Sequence, residues 1–163
     1  MKTIQAKPLS KKAFAPYGQY YSITKPDGHA LCGEIHRFFP DRISAYQGGN
    51  IGFSSLLVKK PEKMHVTQVE YHTRTPELIM PLNDDMILHV AQPSAGKPIP
   101  QQTLAFIVPK NTLVKLNTCV WHLAPLPKHK DELAALIILP ECTYINDCTV
   151  VDLTEDEQFV IEL

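Results

Sequence analysis

The chain has 163 residues, with 16 basic and 17 acidic side chains and a formal net charge of -1. This balance excludes the basic surface typical of proteins that bind nucleic acid or an anionic membrane, so neither is an expected partner. The length suits one domain with its own apolar core, and we expect a single domain over residues 1–163.

The remaining composition points to a cytoplasmic protein. No apolar run approaches the roughly 20 residues that a membrane-spanning helix needs. The first eight residues lack the apolar core of a secretory signal, so we expect a cytoplasmic location. The four cysteines form no Cys-x-x-Cys pair and no zinc-ribbon spacing, and we expect them to be reduced thiols.

Fourteen prolines leave little room for long helices. One short helix is predicted over residues 11–15, with Ser10 as its N-cap and with Pro16 and Gly18 ending it. Residues 155–158 are either a second helix or an acidic turn.

Between these ends the chain shows short β-rich runs separated by turn residues. The predicted strands cover residues 18–23, 35–38, 51–58, 66–73, 77–81, 86–91, 104–108, 113–116, 119–123, 134–139 and 149–153. Such a succession of short strands in one domain indicates an all-β sandwich or barrel. The runs 86–91 and 133–139 are nearly all apolar, so we expect them to be central strands with both faces covered.

The stretch from Glu70 to Glu77 carries the clearest chemical signal. Residues two apart on a strand point to the same face, so Glu70 and His72 are predicted to project together. The break at Thr75-Pro76 lets Glu77 begin the next strand near the same place, and His122 comes from a distant strand. Two carboxylates and two imidazoles suit either a divalent metal or an acid/base pocket without metal, and the residues alone leave both open.

Several other side chains have less definite roles. An isolated buried charge is costly, so a buried Glu70 implies a metal, a cationic substrate group or a raised pKa. His89 can face the pocket or pack in the core. If Lys115 points inward, it or Arg74 can hold a substrate carboxylate, for which the arginine geometry is the better one. Trp121 is a core or pocket-wall aromatic.

These motifs resemble the cupins, in which His-x-His is followed after four residues by Glu, with a further His on a later strand. Here Glu70 stands in place of the first His, while His72, Glu77 and His122 match. Over most of the chain the sequence is similar to the ureidoglycolate lyase family, itself cupin-like. The resemblance rests on Pro8-Leu9-Ser10 and Pro16-Tyr17-Gly18, Glu70-Tyr71-His72, Thr103 to Ile107, Asn117 to His122, and Asn146-Asp147-Cys148.

The resemblance implies a fold and an activity. The expected fold is an all-β, cupin-like double-stranded β-helix (a jelly-roll barrel) with a short N-terminal helix. The expected reaction is the cleavage of ureidoglycolate to glyoxylate and urea in allantoin and purine catabolism, by a homodimer. Two alternatives stay open: another metal-dependent cupin enzyme, an isomerase or dioxygenase acting on a small hydroxy- or keto-acid, and a cupin that binds a small ligand without turnover.

Roles for individual residues follow from their positions and from the resemblance together. His72, His122 and Glu70 are the expected catalytic groups. One divalent metal, with zinc, manganese, iron and nickel all admissible, is expected on a ligand set consisting of Glu70, His72, Glu77 and His122. Arg74, Lys115 and Trp121 are the expected contacts of a small-molecule carboxylate substrate.

Overall fold

The chain folds into short strands joined by turns, as its many prolines favour. The structure is a computed structural model that describes residues 2–163. Its strands are β1 (Lys2–Pro8), β2 (Gly18–Ser22), β3 (Leu31–Cys32), β4 (Arg37–Phe38), β5 (Ile51–Lys59), β6 (His65–Val66), β7 (Gln68–Tyr71), β8 (Glu77–Pro81), β9 (Met86–Val90), β10 (Leu104–Val108), β11 (Thr112–Leu116), β12 (Leu126–Pro127), β13 (Glu132–Pro140), β14 (Thr149–Asp152) and β15 (Phe159–Glu162). The helices described are α1 (Lys11–Phe14), α2 (Thr143–Asn146) and a 3₁₀ turn at Pro100–Gln102.

Two sheets form the body of the fold. One has the strand order β12-β9-β10-β1-β15-β6, and the other has the order β2-β11-β8-β13-β5. Two further pairs, β7 with β14 and β3 with β4, complete the strand pairing described. Strand β1 runs parallel to both β10 and β15, whereas the remaining pairs are antiparallel. The predicted all-β, double-sheet architecture is confirmed.

The main apolar core lies between the two sheets. Leu88 and Phe106 of the first sheet pack in one buried cluster with Leu116 and Ile137 of the second. Phe14 of α1 joins this cluster and is completely buried. Burial of apolar side chains on this scale is the dominant stabilising contribution to a fold of this kind.

A second buried cluster covers the other face of the first sheet. It brings Ile87 and Ala105 together with Val69, Trp121 and Phe159. Strand β9 therefore has both faces covered, since Met86, Leu88 and Val90 belong to the first cluster and Ile87 to the second. For β13 the prediction is half right: Leu133, Ala135, Ile137 and Leu139 are buried, but the side chains between them are only half-buried.

The predicted N-terminal helix is present. The Ser10 hydroxyl accepts a hydrogen bond from the Ala13 amide at 3.3 Å, which caps the first turn. Gly18 then begins β2 against β11, where a Cβ atom would lie only 1.9 Å from the Lys115 carbonyl oxygen. Only glycine fits at this close approach of two strands.

Other boundaries differ from the prediction. The run 66–73 breaks at Thr67 and ends at Tyr71, and residues 119–123 make isolated bridges rather than a strand. Residues 155–157 form a turn, and α2 was not predicted. Strands β1 and β15 were not predicted from the sequence. They pair with each other across the whole length of the chain, and β1 shows no apolar alternation because only its Ile4 is buried. Among the described residues, no helix has the length and apolar character to cross a membrane.

His89 is buried beside Phe159 of the second buried cluster. Its ring meets Phe159 edge-on, with ring centroids 5.5 Å apart, and its Nε2 atom is buried without a hydrogen-bond partner among the described residues. Burial lowers the pKa of His89 to about 3, and the charge of His122 acts in the same direction. The imidazole is therefore neutral throughout the physiological pH range.

We expect the replacement His89→Leu to stabilise the protein selectively at low pH. Between the unfolded pKa of 6.5 and the folded pKa of about 3, only the unfolded chain binds a proton at His89, so the free energy of unfolding falls as pH falls. At pH 5 protonation of His89 in the unfolded chain lowers the free energy of unfolding of the wild type by about 2 kcal/mol. Urea denaturation at pH 5 and pH 8 measures the effect, with exposed His65→Leu as control. If the free energies of unfolding of His89→Leu and wild type differed equally at pH 5 and pH 8, the lowered pKa of His89 would be contradicted.

Candidate metal centre

Local chain geometry and one long-range bridge bring four side chains together. Glu70 lies on β7, and Glu77 begins β8 after the turn at residues 72–76. The backbones of Glu70 and His122 bond in both directions: the Glu70 amide donates to the His122 carbonyl at 2.6 Å, and the His122 amide donates back at 2.9 Å. Residues paired directly in an antiparallel bridge point to the same face, so these two side chains meet.

Glu77 lies between the two imidazoles. Its Oε2 atom is 3.1 Å from His72 Nε2 and 2.7 Å from His122 Nε2. Glu70 Oε1 lies 3.9 Å from His122 Nε2. One nitrogen or oxygen atom from each of Glu70, His72, Glu77 and His122 lies within 4.8 Å of all the others. The four residues predicted from the sequence as ligands thus converge.

Backbone carbonyls determine which nitrogen each histidine presents. His72 Nδ1 is 2.7 Å from the Asp147 carbonyl oxygen, and His122 Nδ1 is 2.8 Å from the Val120 carbonyl oxygen. A carbonyl can only accept, so each Nδ1 carries a proton and donates it. Both Nε2 atoms then face Glu77, where each holds either a second proton or a metal ion.

The charges of the three buried residues stabilise one another. Burial by itself raises the pKa of Glu77, but His122 and His72 outweigh it and lower that pKa to about 2. Burial lowers the pKa of His72 and of His122, but Glu77 outweighs it and raises both above their ordinary values. Protons and a metal ion compete for the same Nε2 atoms, so metal affinity is expected to rise with pH.

The spacing of the donor atoms fits a divalent metal. Two ligand atoms about 2.1 Å from one ion and at right angles are about 3.0 Å apart, close to the separations between Glu77 and the histidines. Two imidazole nitrogens and two carboxylates suit zinc, manganese, iron or nickel. The Nδ1 donation to carbonyls is the usual means of orienting a metal-bound histidine.

Asp147 supports this centre and was not identified as a site residue from the sequence. Its carboxylate accepts hydrogen bonds from the Thr73 amide and hydroxyl and from the Arg74 amide, at 2.8, 2.6 and 2.8 Å. Its carbonyl oxygen accepts the His72 Nδ1 proton. One residue therefore holds both the ring of His72 and the turn that follows it.

Gln47 holds the other end of the same turn. Its amide nitrogen donates to the Pro76 carbonyl at 3.1 Å, and its amide oxygen accepts the Thr75 hydroxyl. Gln47 and Thr75 are both buried. This clamp positions the backbone immediately before Glu77, and no sequence motif pointed to Gln47.

Cys148 also contacts the centre. Its thiol donates to Glu70 Oε2 across 3.3 Å. Burial raises the pKa of Cys148 to about 12, and the hydrogen bond and charge of Glu70 add to the effect. The thiol is therefore protonated, and it helps to orient Glu70. The sequence showed only that Cys148 follows a polar turn shared with the lyase family.

The three predicted substrate contacts are not members of the four-residue cluster. Trp121 packs against Tyr71 in the second apolar cluster and donates its indole proton to the Ser94 hydroxyl at 3.0 Å. Lys115 and Arg74 come together at a surface groove of about 380 Å³, where the Lys115 ammonium donates to the Ser44 carbonyl at 2.9 Å. The substrate-binding role of Trp121, Lys115 and Arg74 stays a prediction.

The fold is similar to that of a solved structure. One solved structure, the dTDP sugar isomerase from Desulfovibrio desulfuricans G20, superimposes with a TM-score of 0.50 at 14% identity, covering 87% of this chain and 89% of that one. At this identity the similarity concerns the fold alone, and it confirms the predicted cupin-like barrel.

Sequence relatives extend over the whole chain. The ureidoglycolate lyase of Pseudomonas aeruginosa (strain LESB58) is 25% identical over 166 residues, covering 99% of this chain and 97% of the relative. The ureidoglycolate lyase of Azotobacter vinelandii (strain DJ) is 24% identical over 165 residues, covering 99% and 98%. The family model described as "Ureidoglycolate lyase" matches residues 1–162. The chain therefore belongs to the ureidoglycolate lyase family.

Proposed function

We propose that this protein is a lyase that splits ureidoglycolate into glyoxylate and urea, and that Glu70, His72, Glu77 and His122 bind one divalent metal. Family membership over residues 1–162 supports the reaction. One observation supports the proposed metal. Both histidine Nε2 atoms converge on the buried Glu77 carboxylate, and both Nδ1 protons are donated to backbone carbonyls.

The reaction needs one proton to move. The hydroxyl of ureidoglycolate loses a proton, its carbon–oxygen bond becomes a carbonyl, the carbon–nitrogen bond breaks, and the departing urea nitrogen gains a proton. A bound divalent metal supplies Lewis acidity toward the substrate oxygens. His72 and His122 serve as ligands through Nε2, so the proton transfer falls to Glu70.

Glu70 suits this task because it is the most open of the four side chains, with 16% exposure. Its two oxygens have different neighbours: Oε1 faces His122, whereas Oε2 accepts the Cys148 thiol. Glu70 would help to hold the metal through the oxygen that faces His122, and its Oε2 atom would carry the proton that moves from the hydroxyl to the urea nitrogen. Proton transfer by a positioned side chain of this kind contributes about 10²- to 10⁴-fold to the rate.

The test is turnover of ureidoglycolate by metal-loaded protein and by the Glu70→Gln variant. Wild type is expected to release glyoxylate and urea in equal amounts. The glutamine keeps an oxygen for the metal but accepts no proton, so kcat is expected to fall about 100-fold or more while the metal content measured by elemental analysis is retained. Turnover of another small hydroxy- or keto-acid without ureidoglycolate cleavage, or ligand binding without turnover, would refute the proposal.

We further propose that residues 1–163 act as one domain within a homodimer. Strand β5 is the edge of its sheet, and Phe53 and Leu57 are 70% and 62% exposed on its outer face. Long apolar edge strands are normally covered. Twofold antiparallel pairing of β5 with a second copy, centred on Ser55, sets Phe53 opposite Leu57. Sedimentation analysis measures the mass in solution, and a monomer at micromolar concentration would refute the dimer.

We also propose a metabolic context for the reaction and a cellular location for the protein. We place the reaction in allantoin and purine catabolism, as the family resemblance implies. We place the protein in the cytoplasm, because all four cysteines are free and thiols persist in a reducing compartment. Fractionation of cells followed by immunodetection tests the location.

A further inference from the structure

A cavity of about 480 Å³ lies between the edge of the second sheet and α2. Its walls include Gly52 and Ser54 of β5, Leu139 of β13, and Thr143 and Tyr144 of α2. Leu139 is on the inward face of β13, two residues from Ile137, which also lines the cavity and pairs with Ile79 of β8. Ile79 and Glu77 are two apart on β8, so this wall continues toward the metal centre.

The segment that carries Tyr144 is attached to the centre by two contacts. Three residues beyond Tyr144, the Asp147 carbonyl accepts the His72 Nδ1 proton, and Cys148 donates to Glu70. Tyr144 itself lines the cavity. Burial raises the pKa of its hydroxyl to about 12, and the charges of Glu77 and Glu70 add to the effect. The hydroxyl is protonated at neutral pH, and the side chain, 61% exposed, is accessible to a ligand.

The cavity is chemically different from the metal centre. Its described walls are aliphatic, hydroxyl and thiol groups, and Glu141 is its single charged side chain. Glu141 would repel a substrate carboxylate in the cavity, whereas a bound metal ion and the two imidazoles would attract it to the metal centre. A neutral, planar ureido group suits the cavity, because its carbonyl oxygen needs a hydrogen-bond donor.

We infer that the ureido group of the substrate occupies this cavity and that the Tyr144 hydroxyl donates a hydrogen bond to its carbonyl oxygen. The carboxylate and hydroxyl of the substrate then remain at the metal centre. This assignment rests on the proposed function and makes Tyr144 a residue that selects ureido compounds over other 2-hydroxy acids.

Two smaller compounds allow binding of the ureido end of the substrate to be tested separately from binding of the hydroxyl end. Hydantoate (ureidoacetate) keeps the carboxylate and the ureido group, and glycolate keeps the carboxylate and the hydroxyl. Calorimetric titration of metal-loaded protein is expected to show hydantoate binding about three- to tenfold weaker in Tyr144→Phe, the usual effect of deleting one neutral hydrogen bond. Glycolate binding is expected to be unchanged.

Tyr46→Phe is the matched control, since Tyr46 is 88% exposed and does not line the proposed cavity. It is expected to bind both compounds as wild type does. Unchanged hydantoate binding in Tyr144→Phe, or equal weakening of both compounds, would overturn the inference. These binding results do not depend on turnover. Failure of the wild type to cleave ureidoglycolate would refute the proposed function. Cleavage by the wild type together with normal hydantoate binding in Tyr144→Phe would refute this inference alone.

Discussion

The Glu77→Gln variant is expected to lose at least about 100-fold in metal affinity, more than replacement of a residue that only supports a ligand. Glu77 is the buried anion that contacts both histidine Nε2 atoms, and glutamine has nearly the same shape without the charge. The amide also carries two protons, at least one of which would point toward an Nε2 atom or the metal. Titration with a metal-sensitive chelator measures the affinity, and elemental analysis measures the occupancy.

Exposed Glu132→Gln is the control for the loss of one negative charge, since Glu132 lies at the outer end of β13. It is expected to bind metal as wild type does. Cleavage of ureidoglycolate should fall with occupancy in Glu77→Gln and should not be restored by moderate excess of metal. Full occupancy and full activity in Glu77→Gln would show that Glu77 is not a metal ligand.

The Asp147→Ala variant is expected to lose about 2–3 kcal/mol of stability and about 10- to 100-fold in metal affinity. Three donors, the Thr73 amide and hydroxyl and the Arg74 amide, lose their acceptor together. The turn that positions His72 then loosens, although the backbone carbonyl at position 147 remains. Chemical denaturation and metal titration measure the two effects.

Asp147→Asn tests the cause in the same assays. Asparagine keeps one acceptor oxygen for the turn but has no negative charge, so its losses are expected to be smaller than those of alanine. Asp156→Ala, an exposed replacement in the turn before β15, is expected to leave both quantities unchanged. A stability loss in Asp147→Ala with normal metal affinity would show that Asp147 supports the fold but not the metal centre.

The ligand set could be predicted because three of its members are close in sequence. Glu70 and His72 are two residues apart, and Glu77 follows a proline turn, so strand alternation and turn chemistry suffice to bring them together. His122 was predicted to come from a distant strand, and in the structure a bridge across 52 positions joins it to Glu70. The placement of His89 could not be predicted, because a strand with both faces covered offers two buried environments.

The sequence by itself determined the β-rich class of fold, the family and the four candidate ligands, because alternation, proline turns and motif order are local properties of the chain. Tertiary structure alone decided which groups support and surround those ligands. Asp147 and Cys148 contact His72 and Glu70 across 75 and 78 positions of the chain, through pairing of β7 with β14 and the turn at α2. Tertiary structure also placed the Trp121 side chain in the second apolar cluster. Consecutive extended residues point to opposite sides, and the neighbouring His122 faces the metal centre.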